Sequence, residues 1–152
     1  MKIITLTQPW ATLVIAGAKR LETRSWSTAY RGELGIHAAK GFPRWAREIC
    51  AEEPFASILA EASSVNSWTD LPTAQLLGHV NLTGCYPTSS VAANLSAAAY
   101  MVGKQRVDVS SPEREFGDFS PGRYAWPLED PVEFDEYVPM KGQLGLYDRE
   151  VA

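Results

Sequence analysis

Cysteine and histidine are scarce in this chain, with two of each in 152 residues. Cys50 and Cys85 lie far apart, and neither they nor His37 and His79 have a close ligand partner in sequence. That spacing matches none of the usual metal-site patterns, so no metal ion is expected. Two cysteines in a chain with no export signal read as free thiols in a reducing compartment. Long apolar runs are also missing. The stretch from Met1 to Pro9 is too short and interrupted for a signal peptide, and the apolar run from Leu13 to Ala18 is only six residues. A cytoplasmic protein without membrane segments is the expectation. A glycine-rich phosphate loop, a nucleophile elbow, heptads and internal repeats are likewise lacking, and no cofactor is expected.

What is present suffices for an ordinary core. Hydrophobic residues make up 45%, and a chain of this length buries roughly 70% of the surface it exposes when unfolded. One domain over residues 1–152 is expected, with a variable insertion around 54–110.

The net charge of −4 argues against loose binding to long nucleic acid, but the charge is unevenly spread. Between Lys19 and Arg47 stand seven basic side chains, Lys19, Arg20, Arg24, Arg31, Lys40, Arg44 and Arg47, against two acids, Glu22 and Glu33. This segment carries +5, so with a total of −4 the remainder carries −9. A local basic surface on an acidic body suits a small anionic ligand or a short strand; it equally fits a solvated face.

Ile3 to Leu6 reads as a strand. Thr7 offers a helix cap, with Pro9 in the first turn and Gly17 at the left-handed end. Arg20, Glu22, Arg24 and Trp26 alternate with Leu21, Thr23 and Ser25, which predicts a strand with Thr23 facing away from Glu22. Glu33 to Ala39 predicts a second strand and Phe42 to Glu52 a helix. Residues 54–70 fit helix then loop, Leu76 to Tyr86 a long strand, and the alanine-rich Ser89 to Met101 a helix or a mobile insertion. Ser111-Pro112-Glu113 starts another helix. Tyr124–Leu128, Val132–Phe134 and Leu144–Tyr147 complete the strands. Short strands with interposed helices predict an α+β fold, a small mixed barrel.

Three constellations carry chemistry. In Gly17-x-Lys19-x-x-Glu22-x-Arg24, a glycine turn delivers a lysine to the mouth of a strand. A lysine beside a carboxylate holds an anion or moves a proton, and an arginine binds phosphate or carbonyl in a fixed fork; a structural ion-pair ladder has the same spacing. Trp10, Trp26, Tyr30 and Trp45 lie in or beside the basic segment, where aromatic rings stack bases or fill the core. Trp26, sharing a face with Glu22 and Arg24, is the pocket candidate, and Trp10 the core candidate. In Phe116 to Trp126, glycines and Pro121 make a tight loop that sets out Ser120, Arg123 and Tyr124 as a pocket wall or a plain connection. A lone histidine such as His37 on an apolar strand fits a hydrogen-bonded core residue.

These residues resemble the ASCH family, the activating signal cointegrator homology domains, which are similar in fold to PUA domains. The resemblance rests on Gln8-Pro9-Trp10-Ala11, on Gly17-x-Lys19-x-x-Glu22-x-Arg24-Ser25-Trp26, on Tyr30-Arg31-Gly32 and on Ile36-His37-Ala38-Ala39-Lys40. Gly117-Asp118-x-Ser120-Pro121-Gly122-Arg123-Tyr124-Ala125-Trp126 is similar to the closing motif of one subgroup. The resemblance implies a PUA-like barrel with a cleft lined by the Lys-Glu-Arg motif and a ligand that is RNA or nucleoside-like. It places Gln8, Arg24, Trp26, Tyr30, Arg31, His37, Lys40, Ser120, Arg123 and Tyr124 as substrate-binding candidates, with Lys19 and Glu22 as the catalytic pair. One branch of similar fold hydrolyses acetylated cytidine through a threonine three residues after its lysine; here that position is Glu22. A hydrolase or a weak ribonuclease using Lys19, Tyr30 or Ser120 is the alternative to a binding module.

Overall fold

The computed structural model describes residues 1–89 and 98–151. Among them, β1 (Lys2–Leu6), β2 (Leu21–Arg24), β3 (Gly32–Ala38), β4 (Gln75–Leu82), β8 (Tyr124–Pro139) and β9 (Leu146–Asp148) lie in the order β2-β8-β4-β3-β1-β9. The short β5 (Tyr86–Pro87) pairs with the start of β8. The β1–β3 pair is parallel and the other pairs are antiparallel. β6 (Ala99–Val102) and β7 (Gln105–Asp108) form a separate two-stranded sheet. The helices are α1 (Trp10–Ile15), α2 (Arg44–Ile49), α3 (Phe55–Ser63) and α4 (Glu113–Phe116). This is the expected α+β, PUA-like architecture, with the main sheet curled into a half-barrel.

The short α1 is apolar on nearly every side, and a helix of that kind belongs inside. Ala11, Val14 and Ile15 pack with Ile4, Leu6, Ile36, Leu77, Val80 and Trp126 against the sheet. Leu13, on the opposite side, packs with Phe55, Leu59, Val65, Leu71 and Phe116 in a second cluster under α3 and α4. α1 thus joins the sheet to the helical layer. Its first turn is capped by Gln8 rather than Thr7: the Gln8 carboxamide oxygen accepts from Thr12 N at 3.0 Å, satisfying a helix donor that has no intrahelical partner. At the other end Gly17 takes φ +78°, the left-handed conformation expected of it. The amides of Ala18 and Lys19 both return to Leu13 O.

Two strands expected from the sequence are one. β8 runs unbroken from Tyr124 to Pro139, where Glu129-Asp130-Pro131 had suggested a gap. Asp130 takes φ +50° and the pairing with β4 shifts between His79 and Asn81. A bulge of this kind absorbs a proline without ending the ladder. Opposite it, Gly78 has room for no side chain: a Cβ there would lie 2.0 Å from Val132 O. The long strand expected over Leu76–Tyr86 is β4 followed by the separate β5. Within residues 54–110, β4 is a central strand of the sheet rather than part of an insertion. In the alanine-rich segment, Ala99–Val102 is strand β6, not helix; residues 90–97 lie outside the described residues.

Candidate functional site

A cleft of about 450 Å³ opens where the end of β1, the start of α1, β2, α2 and the segment from α4 into the 117–123 loop meet. That is within the size range of small-molecule sites. Its walls carry Glu22, Thr23 and Arg24 from β2, Thr5 and Thr7 from the β1 end, Trp10 and Trp45 from the helices, and Asp118 and Arg123 from the loop.

Glu22 is buried. Its Oε1 accepts from the Thr23 amide at 2.9 Å and lies 3.5 Å from Lys19 Nζ, while Oε2 is 3.6 Å from Arg24 Nε. Lys19 is 1% exposed and its ammonium also donates to Leu21 O. The lysine is not part of the cleft lining. Arg24 donates from Nη2 to Thr5 O at 3.1 Å, which ties β2 to β1, and its buried Nε has no hydrogen-bond partner among the described residues.

The loop wall is held by its own polar groups. The Asp118 carboxylate accepts from Ser120 Oγ at 2.6 Å and from Ser120 N at 3.0 Å. These bonds, with help from the Arg123 charge, hold its pKa below the ordinary aspartate value. Arg123 donates to Asp118 O at 3.0 Å and to Thr23 O at 3.3 Å. The Asp118 amide donates to Thr23 Oγ1 at 3.1 Å. Thr23 was expected to face away from the cleft. It is among the lining residues, and the loop bonds to both its hydroxyl and its carbonyl.

The structure brings Glu22, Arg24 and Arg123 into one cleft and puts the other candidates elsewhere. Trp26 packs edge-on against buried Trp126, with centroids 4.9 Å apart. Gln8 is fully buried, its amide group donating to Thr12 Oγ1 and to Pro72 O. Tyr30 donates its hydroxyl to Glu33 O, and Arg31 donates to Thr28 O and Tyr30 O. Lys40 is exposed outside the lining. Tyr124 sits in the β8 ladder opposite Arg24, and Ser120 serves Asp118. His37 is buried between Thr5 Oγ1, 3.1 Å from Nδ1, and Met140 O, 2.8 Å from Nε2. Since a carbonyl only accepts, Nε2 carries the proton and Nδ1 accepts from Thr5. Burial lowers the His37 pKa, opposed by the bond to Met140 and aided by the Arg149 charge.

Sequence reasoning missed Asp118, Thr5 and Thr7 as wall residues. Trp45 was noted among the aromatics beside basic residues, and that interleaving was its signal. No signal in the sequence marks Thr5 and Thr7, which reach the cleft only because β1 and β2 are tied through Arg24.

Among the described residues, no group of three or more histidine, cysteine, aspartate or glutamate side chains is arranged to hold a metal ion. No helix among them is long and apolar enough to cross a membrane.

Comparison with known proteins adds two relatives. Activating signal cointegrator 1 of Mus musculus is 39% identical over 82 residues, covering 54% of this chain and 14% of that protein. Activating signal cointegrator 1 of Homo sapiens is 38% identical over 84 residues, again 54% of this chain and 14% of that protein. The match therefore spans about one seventh of the length of these relatives. The family model of the ASCH domain matches residues 4–138, which include every residue lining the cleft. The chain belongs to the ASCH domain family.

Proposed function

We propose that the cleft binds a nucleobase of RNA or of a nucleoside-like ligand. The observation that carries this reading is the pair of Glu22 and Arg24 side by side on the wall of a cleft that Trp10 and Trp45 also line. A carboxylate accepts from an exocyclic amine and a guanidinium donates to a ring carbonyl or nitrogen. Adjacent, they fit the edge of a base that carries an amine next to an acceptor, as cytosine does. Family membership supports an RNA-related ligand. The internal charge pairing also favours a base over a phosphate: Glu22 pairs with Arg24, Asp118 with Arg123 and Glu115 with Arg114. The Lys-Glu-Arg motif then works as Glu22 and Arg24 toward the ligand, with Lys19 supporting Glu22.

Equilibrium titration with a panel of nucleosides tests this. Glu22→Gln and Arg24→Ala are expected to weaken binding of an amine-bearing base by tenfold or more, roughly the value of one charged hydrogen bond. Raising salt should change nucleoside binding little, since few phosphates are neutralised. Equal affinity for bases with and without the amine, in wild type and in both variants, would sink the reading.

A second reading has one observation in its favour. A buried carboxylate, Glu22, lines the cleft, as a general base for hydrolysis of an amide such as that of acetylated cytidine requires. Glu22 would take a proton from water as it attacks the carbonyl, and the amine would leave protonated. Chromatography of acetylated cytidine incubated with wild type and with Glu22→Gln separates the two readings. Product that depends on Glu22 supports an enzyme, and Glu22-dependent binding without product supports the binding module.

A further inference from the structure

The cleft mouth has a feature that a single bound ring does not need. Trp45 is 61% exposed, an unusual state for so large an apolar side chain. It lies 5.7 Å from Trp10, centroid to centroid, at an angle of 46°. Trp10 is itself fixed by a 2.7 Å bond from its indole N–H to Phe116 O. One part of the Trp45 ring is thus backed by an anchored neighbour, and much of the rest is open to solvent at the cleft edge.

Charge is arranged in two zones around this ring. Inside the cleft the acids and bases pair with one another, as described above. Outside it, residues 40–48 hold Lys40, Arg44 and Arg47 against Glu48 alone. Arg44 pairs with Glu48 at 2.8 Å, and Arg47 stacks over the Trp68 ring at 4.8 Å. A neutral interior beside a basic exterior, with an exposed indole at the border, complements a chain of neutral rings joined by anionic links.

We propose that Trp45 is an outer stacking platform for the base adjacent to the one held by Glu22 and Arg24, so that the preferred occupant is single-stranded RNA of two or more nucleotides. This rests on the base-binding reading of the cleft. Indole stacking tolerates any base, so sequence preference comes from the inner position, and the phosphates outside the cleft meet the basic segment.

The test compares cytidine with the tetranucleotide of cytidine on wild type, Trp45→Ala, Trp45→Phe and Arg24→Ala, with thermal melting of each variant as the folding control. Wild type should bind the tetranucleotide roughly tenfold or more tightly than cytidine, the advantage one stacked base supplies. Trp45→Ala should remove most of that advantage, and Trp45→Phe should keep much of it. A tetranucleotide advantage that survives Trp45→Ala while Arg24→Ala abolishes binding overturns the platform and leaves the base-binding reading standing. Equal affinity of wild type for the two probes also overturns the platform. Failure of both probes to bind overturns the base-binding reading and the platform with it.

Discussion

Lys19 and Glu22 form a buried ion pair: the ammonium lies 3.5 Å from Glu22 Oε1, is almost wholly buried and is not part of the cleft lining. Breaking a buried ion pair costs about 3–5 kcal/mol, and since Arg24 stays 3.6 Å from Glu22 Oε2 the lower end of that range is expected. Lys19→Ala should therefore lower the melting temperature by roughly ten degrees, given the usual few degrees per kcal/mol in a domain of this size. An unchanged melting temperature combined with lost nucleoside binding would place the ammonium in the cleft instead.

Trp26 is expected to report on packing rather than stacking. Its ring meets Trp126 edge-on, and such pairs add about 0.5–1.5 kcal/mol beyond the area they bury. Trp26→Ala should destabilise the protein by about 2 kcal/mol or more, since it also uncovers part of the sheet core. Chemical denaturation measures this. A stability within a few tenths of wild type, with a large drop in ligand affinity, would return Trp26 to the binding site.

The buried His37 makes stability depend on pH. Its folded pKa lies below the ordinary histidine value, so on acidification the unfolded chain takes up the proton first. The contribution of this residue is complete above about pH 6.5 and is lost as pH falls from there toward the folded pKa. Melting curves from pH 7.5 to 5 should show a decline that is shallower in His37→Gln. Parallel curves would mean that His37 does not carry the dependence.

Asp118 acts on the acid side. Its folded pKa is depressed, chiefly by the Ser120 hydroxyl and amide, so its contribution is present above about pH 4 and is lost as pH falls through the folded value. The loop lies near the surface, so the effect on global stability is small. The better measurement is proteolysis of the 117–123 loop. Asp118→Asn should make the loop more susceptible at neutral pH and remove any further increase in acid. Cleavage rates identical to wild type at both pH values would show that Ser120 and Arg123 hold the loop without it.

Much of this was legible from residue spacing. Gly17 ends α1, and the alternation around Glu22 marks β2. The motif residues Glu22 and Arg24 share a wall, and the loop containing Asp118 and Arg123 closes the other side. What sequence could not give was depth. Alternation distinguishes two faces of a strand but does not say that a loop will bond to the second, as the 117–123 loop does at Thr23. Nor does it show how two tryptophans pack: Trp26, just past β2, meets buried Trp126 of β8, while the exposed Trp45 meets the flank of Trp10. Lys19 looked available because lysine is nearly always at the surface, and its burial shows only in the structure, where the ammonium meets Leu21 O and Glu22. β8 reads as two strands in the sequence, and only the structure shows that Asp130 takes a left-handed conformation and keeps the ladder going.

β9 lies beyond residue 138, where the family match ends, yet it pairs with β1 from Lys2 to Ile4 and delivers Tyr147 to the Thr5 hydroxyl at 2.8 Å. A recombinant fragment trimmed to the family boundary would strip that cover from β1 and leave a bare sheet edge able to recruit strands from other molecules. The three residues of β9 thus cover the β1 edge, and the boundaries of a recombinant fragment of this chain should be drawn by strand pairing rather than by the span of sequence similarity.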